Sequence, residues 1–229
     1  MTQSSSLESR LSAVQERISS KLESIGRTDE VTLVVVTKNH PAELVKSLYD
    51  LGCRDFGENR DQEASPKAAE LAPVLEGARW HFIGQLQSNK AKRVVEYASV
   101  VHSLDRDSLL SALIRGVEGR EQPLDVFIQV NLTDDPARGG VNPGDLHAFA
   151  ERVVSASNLR LMGLMAVASL DGQERRDFEL VANLSERLKG LYPEAKYLSA
   201  GMSGDYELAL EYGATHLRVG SAITGNRPA

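Results

Sequence analysis

Apolar residues recur at Leu7, Leu11, Val14, Ile18, Leu22 and Ile25, in steps of three and four that lay one stripe along a helix. Ser5 with Glu8 three residues later has the form of a capping box at its start, and Gly26 supplies a stop. Beyond this point the period changes to short β-branched runs separated by helical stretches. The pattern predicts strands over 31–37, 54–57, 79–84, 99–103, 125–131, 160–166, 196–199 and 216–220. Between them it predicts helices over 41–51, 62–75, 88–97, 106–117, 144–155, 175–191 and 203–212. Several strands are apolar on both faces, 31–36 most clearly, as a parallel strand covered by helices requires. This alternation predicts an α/β fold, a single (β/α)8 TIM barrel with an extra N-terminal helix. An open doubly wound sheet fits the alternation nearly as well, but such sheets usually carry a glycine-rich turn after the first strand. Here Thr37-Lys38-Asn39-His40-Pro41 holds no glycine. No linker, low-complexity tract or shift of composition divides the chain, so 1–229 reads as one domain.

Charge and composition narrow the function classes. With 26 Lys and Arg against 32 Asp and Glu the formal charge is −6. Sequence-independent phosphate affinity comes from clustered cations, so this balance argues against a general nucleic-acid or anionic-membrane binder and leaves room for a local anion site. The opening MTQSSSLESR has no apolar run behind a basic start, so it does not read as a secretory signal. The longest apolar stretches fall far short of the ~20 residues that span a bilayer. The single cysteine, Cys53, excludes an intrachain disulfide framework. The expectation is a soluble protein of the reducing cytoplasm, long enough at 229 residues to bury one sizeable core without disulfides or metal.

In a barrel of this kind chemistry sits at the C-terminal ends of the strands. The residues placed there are Lys38, Asn59, 81–85, His102, Asn131, Met165, Ser199 and Arg218. At Lys38 a mostly apolar run leads directly to an ammonium group. A lysine in a dry pocket loses solvation of its charged form, which favours the neutral amine that Schiff-base formation needs, whereas a lysine on the rim reaches solvent. Near the end of the chain, Gly201-Met202-Ser203-Gly204-Asp205 and Gly220-Ser221-Ala222 both read as helix starts that present N–H groups to an anion, with Ser203 as a cap. They occupy the loops after strands seven and eight, where barrels commonly hold a phosphate, although each alone also has the form of an ordinary cap. Arg218 stands two residues before Gly220 and shares its strand face. A donor-only guanidinium there suits either an acceptor such as a pyridine nitrogen or a rim salt bridge.

Other chemistries lack their residues. The segment 220–227 reads GSAITGNR, short of a P-loop by the Lys and Ser/Thr after the second glycine. His40, His81, His102, His147 and His216 form no HxH or HExxH pair, so no metal site is expected. There is no G-x-S-x-G elbow, and the pairs Asp134-Asp135 and Asp205/Glu207 read as loop and helix-start charges.

Six blocks in order, VVVTKNHPAE, DFGENRDQE, RWHFIGQLQSNKAKRV, LMGLMAVA, LSAGMSGDYELAL and LRVGSAITG, resemble the pyridoxal phosphate homeostasis protein family, relatives of the alanine racemase N-terminal barrel. The match runs over about 7–225. The resemblance implies an alanine racemase N-terminal domain-like (β/α)8 barrel that binds pyridoxal 5′-phosphate (PLP) as a Schiff base on the lysine closing the first strand, here Lys38. It further implies that Ser203, Gly204, Gly220 and Ser221 hold the phosphate and that Arg218 faces the pyridine nitrogen. By the same resemblance Asn59 and His81 line the mouth and Met165 contacts the ring face. The sequence departs from the commoner pattern at Asn39-His40 after the lysine, at Arg60 after FGEN and at Arg138 before Gly139-Gly140. These are rim positions, so the departures bear on secondary lysine adducts or regulatory contacts and leave the core site intact.

The family is regarded as a handler of PLP rather than a catalyst. A pyridine nitrogen that meets arginine does not easily become a protonated electron sink, which weakens decarboxylase and aminotransferase chemistry. Racemisation needs a second acid/base on the opposite face of the substrate. The racemase relatives supply it as a tyrosine through an additional C-terminal domain, and this chain ends at Ala229 without one. The expectation is a monomeric PLP buffer or carrier that binds the aldehyde reversibly and passes it to other proteins, apo PLP-dependent enzymes among them. The alternative is a monomeric PLP-dependent amino-acid racemase-like enzyme using Lys38 and a tyrosine such as Tyr206 or Tyr212.

Overall fold

The computed structural model of the chain describes residues 6–133, 138–169 and 172–225. Helix α1 (Leu7–Ser24) opens on Ser6, whose Oγ accepts the Ser9 N–H at 3.1 Å. The cap is thus one residue later than the predicted Ser5, which lies outside the described residues. The helix closes with the Arg27 N–H on the Leu22 carbonyl at 2.9 Å and the Gly26 N–H on Glu23 at 3.1 Å. Gly26 sits there at φ 69°, which costs a residue without Cβ nothing.

Parallel strands follow: β1 (Thr32–Val36), β2 (Asp55–Glu58), β3 (Arg79–Phe82), β4 (Val100–Leu104), β5 (Leu124–Gln129), β6 (Leu159–Met165), β7 (Tyr197–Ser199) and β8 (His216–Val219). They pair in chain order, and β8 pairs back onto β1 with Val34 opposite Arg218, which closes the barrel and excludes the open doubly wound sheet. The covering helices are α2 (Ala42–Asp50), α3 (Asp61–Leu71), α4 (Ala91–Tyr97), α5 (Asp107–Gly116), α6 (Leu146–Val154) and α7 (Glu174–Leu191), then α8 (Tyr206–Glu211) and α9 (Ser221–Thr224) on either side of β8. Helix α1 lays its buried stripe, Leu11, Val14 and Ile18, against α8 and α9, and Arg10 Nε donates to the Ile223 carbonyl at 2.6 Å. The extra helix therefore braces the loops that follow β7 and β8.

Two predicted helices begin late. The 88–97 helix opens as a 3-10 turn (Ser88–Lys90) before α4, and the 203–212 helix starts only at Tyr206. Residues 203–205 form a turn instead, in which Asp205 Oδ1 accepts the Met202 N–H at 2.5 Å. No helix among the described residues is long and apolar enough to cross a membrane.

The main core lies between the barrel and its helices, where strand residues such as Phe56, Phe82 and Ile128 meet the inner faces of the helices. The barrel interior is different. A small apolar cluster of Val100, Phe127 and Met165 occupies part of it, and the buried polar side chains of His81, His102, Ser199 and Arg218 join one another there by hydrogen bonds. Barrels commonly fill this space with branched apolar residues. Polar groups held in it must find hydrogen bonds, and these do.

Candidate functional site

The strand ends open on a pocket of about 470 Å³, within the range of small-ligand sites. Lys38, Asn59, Ser203, Gly204, Arg218, Gly220 and Ser221 all line it, as the sequence led us to expect of residues sharing one mouth. Val36, His40, Ile83, Gly84, Val167 and Met202 complete much of the wall.

Lys38 follows β1 after one intervening residue, Thr37, and is half-buried, and its amine has no hydrogen bond or ion pair among the described residues. The turn carrying it is held from behind by α3. Glu63 Oε1 accepts the Asn39 N–H at 2.5 Å and Lys67 Nζ donates to the Thr37 carbonyl at 3.2 Å, so both neighbours of Lys38 are tied. Lys67 pairs in turn with Glu58 at 2.7 Å and Glu63 at 3.1 Å, and Thr37 Oγ1 donates to Glu58 Oε1 at 2.7 Å. Burial outweighs the lysine at Glu58 and pushes its carboxyl above the usual range. Asn39 sits at φ 61°, the one non-glycine residue with positive φ among the described residues, a conformation asparagine tolerates better than most. Sequence reasoning missed this clamp. Its one signal, Glu63 and Lys67 four apart on a helix, has the form of an ordinary surface pair.

Ser203 Oγ accepts the Gly220 N–H at 3.1 Å and the Ala222 N–H at 3.4 Å, lacing the loop after β7 to the loop after β8. It does not cap α8 as predicted, because the intervening turn puts Asp205 at that position. The N–H groups of Ser203, Gly204 and Ser221 have no acceptor among the described residues. Helices α8 and α9 span only 6 and 4 residues, so these loop N–H groups, rather than a summed helix dipole, are what an anion would meet.

Arg218 is buried and points from β8 into the pocket wall. Its Nη1 donates to Ser199 Oγ at 2.6 Å and its Nη2 to the Ala166 carbonyl at 2.8 Å, which leaves further N–H groups for a ligand. Burial pulls the guanidinium down to about 10, still charged at neutral pH. Asn59 Oδ1 is buried without a partner in the same pocket. A Cβ on Gly84 would lie 2.2 Å from the Asn59 carbonyl oxygen, so only glycine lets the loops after β2 and β3 touch there.

Two predicted site residues stand elsewhere. His81 does not line the mouth: it is 1% exposed inside the barrel, with Nε2 at 2.7 Å from Asp55 Oδ1 and Nδ1 at 2.9 Å from His102 Nε2. Met165 packs in the barrel cluster with Val100 and Phe127 and is not part of the pocket wall. Both lie on the inward strand face as the pattern requires, but below the pocket. Of the tyrosines considered for acid/base chemistry, Tyr206, the first residue of α8, is buried beside Arg17, and the Tyr212 hydroxyl accepts from Arg175 at 3.2 Å; neither lines the pocket. Among the rim positions, His40 lines the pocket, Asn39 and Arg60 are exposed, and Arg138 donates to the Ala168 carbonyl at 3.3 Å. Asp134 and Asp135 lie outside the described residues, as does 226–227 of the 220–227 segment. No group of three His, Cys, Asp or Glu side chains among the described residues is placed to hold a metal ion.

A closed (β/α)8 barrel with a lysine turn after its first strand and an N–H cradle after its last two defines the class of the alanine racemase N-terminal domain, and the family model so described matches residues 10–228. The pyridoxal phosphate homeostasis protein of Mycobacterium leprae is 39% identical over 232 residues, 94% of this chain and 90% of that protein. That of Escherichia coli strain K12 is 36% identical over 222 residues, 95% of each. The solved structure of PipY from Synechococcus elongatus with PLP bound superposes with a TM-score of 0.84 at 33% identity, covering 96% of this chain and 100% of that one. The chain belongs to the pyridoxal phosphate homeostasis protein family.

Proposed function

We propose that this protein binds PLP for intracellular PLP homeostasis, holding it covalently on Lys38 and buffering or delivering it without catalytic turnover. One observation carries the reading: an amine and three backbone N–H groups, all without partners among the described residues, converge with a donor-only guanidinium on one pocket. When bound, PLP supplies an aldehyde that condenses with a primary amine and releases water. The chain's own groups fit such a ligand. Ser203, Gly204 and Ser221 offer backbone and hydroxyl donors to a phosphate, Gly220 lines the same cradle with its N–H held by Ser203 Oγ, Arg218 donates to the ring nitrogen and cannot readily give it a proton, and Asn59 offers a carboxamide whose oxygen lacks a partner. The names of the relatives and the PLP in PipY support the same reading.

The absence of a tyrosine from the pocket wall among the described residues favours a carrier over a racemase-like enzyme. We extend the proposal to a single PLP-binding domain over 1–229, monomeric and cytoplasmic, that passes PLP to apo PLP-dependent enzymes. Borohydride reduction of the PLP-loaded protein followed by peptide mapping is expected to place the label on Lys38, and Lys38→Ala to lose the visible absorption band with an unchanged circular dichroism spectrum. Labelling chiefly at Lys90 or Lys92 would move the site. PLP is expected to bind at least about tenfold more tightly than pyridoxal, with inorganic phosphate competing, because charge-assisted bonds to the N–H cradle form only with the phosphate. Equal affinities would remove the cradle from the account. L-amino acids in deuterium oxide are expected to show no α-proton exchange beyond that of free PLP; exchange that disappears in Lys38→Ala would make the protein an enzyme.

A further inference from the structure

Beneath the pocket a continuous line of hydrogen bonds crosses the barrel interior. Arg218 Nη1 donates to Ser199 Oγ at 2.6 Å, Ser199 Oγ lies 2.8 Å from His102 Nδ1, and His102 Nε2 lies 2.9 Å from His81 Nδ1. His81 Nε2 then meets Asp55 Oδ1 at 2.7 Å, and Arg79 grips the same carboxylate at 2.8 and 2.9 Å. Ser199 and His102 are 0% exposed, so bulk water does not reach either link. The line starts at the pocket and ends on the first residues of β2 and β3, at the opposite end of the barrel.

The two ends fix the direction of every bond between them. A carboxylate only accepts, so His81 Nε2–H donates to Asp55. A neutral His81 then has a bare Nδ1, which must accept from His102 Nε2–H. A neutral His102 likewise has a bare Nδ1, which accepts the Ser199 hydroxyl proton. The Ser199 oxygen is left with lone pairs for the Arg218 guanidinium, which only donates. Burial lowers both histidines and so keeps them neutral. Turning either ring to its other tautomer would set acceptor against acceptor, a bare His81 Nε2 against the Asp55 carboxylate or a bare His102 Nε2 against His81 Nδ1, so the arrangement holds as a unit.

Arg218 is buried, and among the described residues it has no carboxylate within ion-pair distance. Its orientation therefore depends on neutral acceptors, of which the Ser199 hydroxyl is the one free to rotate. We infer that Asp55, His81, His102 and Ser199 form a positioning chain that locks the Ser199 hydroxyl, fixes the Arg218 guanidinium and reserves its remaining N–H groups for the ring of the bound ligand. The identity of that ligand rests on the proposed PLP reading; the polarity of the chain does not. None of Asp55, His81 and His102 lines the pocket, so their effect on binding is indirect.

Nitrogen-15 NMR of the histidine rings in ligand-free protein tests the chain directly. His81 and His102 are expected as neutral Nε2–H tautomers, and Ser199→Ala is expected to shift the His102 Nδ1 signal. PLP titration tests the consequence. Ser199→Ala is expected to weaken binding by about tenfold, the loss of one hydrogen bond to a charged group, and Ser199→Thr to restore it. His81→Phe, three links from Arg218, is expected to weaken binding and displace the visible band. A folded His81→Phe with wild-type affinity and spectrum would overturn the inference, as would His102 found as the Nδ1–H tautomer or as imidazolium. If His81→Phe does not fold, Ser199→Ala and its threonine rescue decide the matter. If the wild type takes up no PLP, the ligand reading falls while the tautomers still judge the chain; a His102 signal unmoved by Ser199→Ala would then overturn it.

Discussion

Lys67 is 6% exposed, with its ammonium among Glu58, Glu63 and the Thr37 carbonyl. Lys67→Met would leave Glu58 buried beside no cation, and the expected loss is about 3 kcal/mol in a denaturant melt. Adding Glu58→Gln is expected to recover part of it, since the stranded charge is then gone; a double variant no more stable than the single would show that the two are not coupled. PLP affinity is expected to fall in Lys67→Met as well, because the turn carrying Lys38 loses a tie. At this scale the sequence was most legible where a residue type is forced by its chemistry. Lys38, Arg218 and the glycine-flanked Ser203 all reach the pocket they were expected to share. It was least legible where a role depends on depth. Lys67 looks like a surface lysine and His81 like a rim histidine, and only the packing of α3 and the height of β3 within the barrel show otherwise.

The helices that cover the outer barrel follow from their apolar periodicity, and their observed spans differ from the expected ones mainly by a few terminal residues. The exception that matters for the site is 203–212. Gly204 and Asp205 were expected at a helix start, and the chain uses them instead for a turn that brings Ser203 across to Gly220. That lacing is a long-range contact with no local signal. Glycines separate in a similar way. Gly84→Ala is expected to displace the Asn59 carbonyl, to cost about 1–3 kcal/mol and to weaken PLP binding. Gly190→Ala, near the end of α7 with nothing within 4 Å of the added carbon, is expected to stabilise by up to about 1 kcal/mol and leave binding alone. Thermal melts with PLP titrations on both variants compare the two; equal effects would mean that the contact between the β2 and β3 loops is not tight.

Across the molecule, burial lowers His81, His102 and His216, the last to about 3. An unfolded histidine titrates near about 6.5, so between that value and the depressed folded values the unfolded chain binds more protons and stability drops as the pH falls. The Tm is expected to be level above about pH 7 and to decline below about pH 6, with His216→Phe removing part of the slope. A level Tm down to about pH 5 would mean that the histidines charge inside the folded barrel. Eightfold alternation made the barrel legible, but the polar filling of its interior was not, because inward strand positions look alike until their partners are known. The pairing of Val34 with Arg218 carries a further consequence. The lysine turn and the guanidinium belong to the first and last strands, so a nascent chain still short of β8 on the ribosome displays Lys38 with neither Arg218 nor the Gly220 loop. On the proposed reading, tight capture of the vitamin waits until β8 has been made and has closed onto β1.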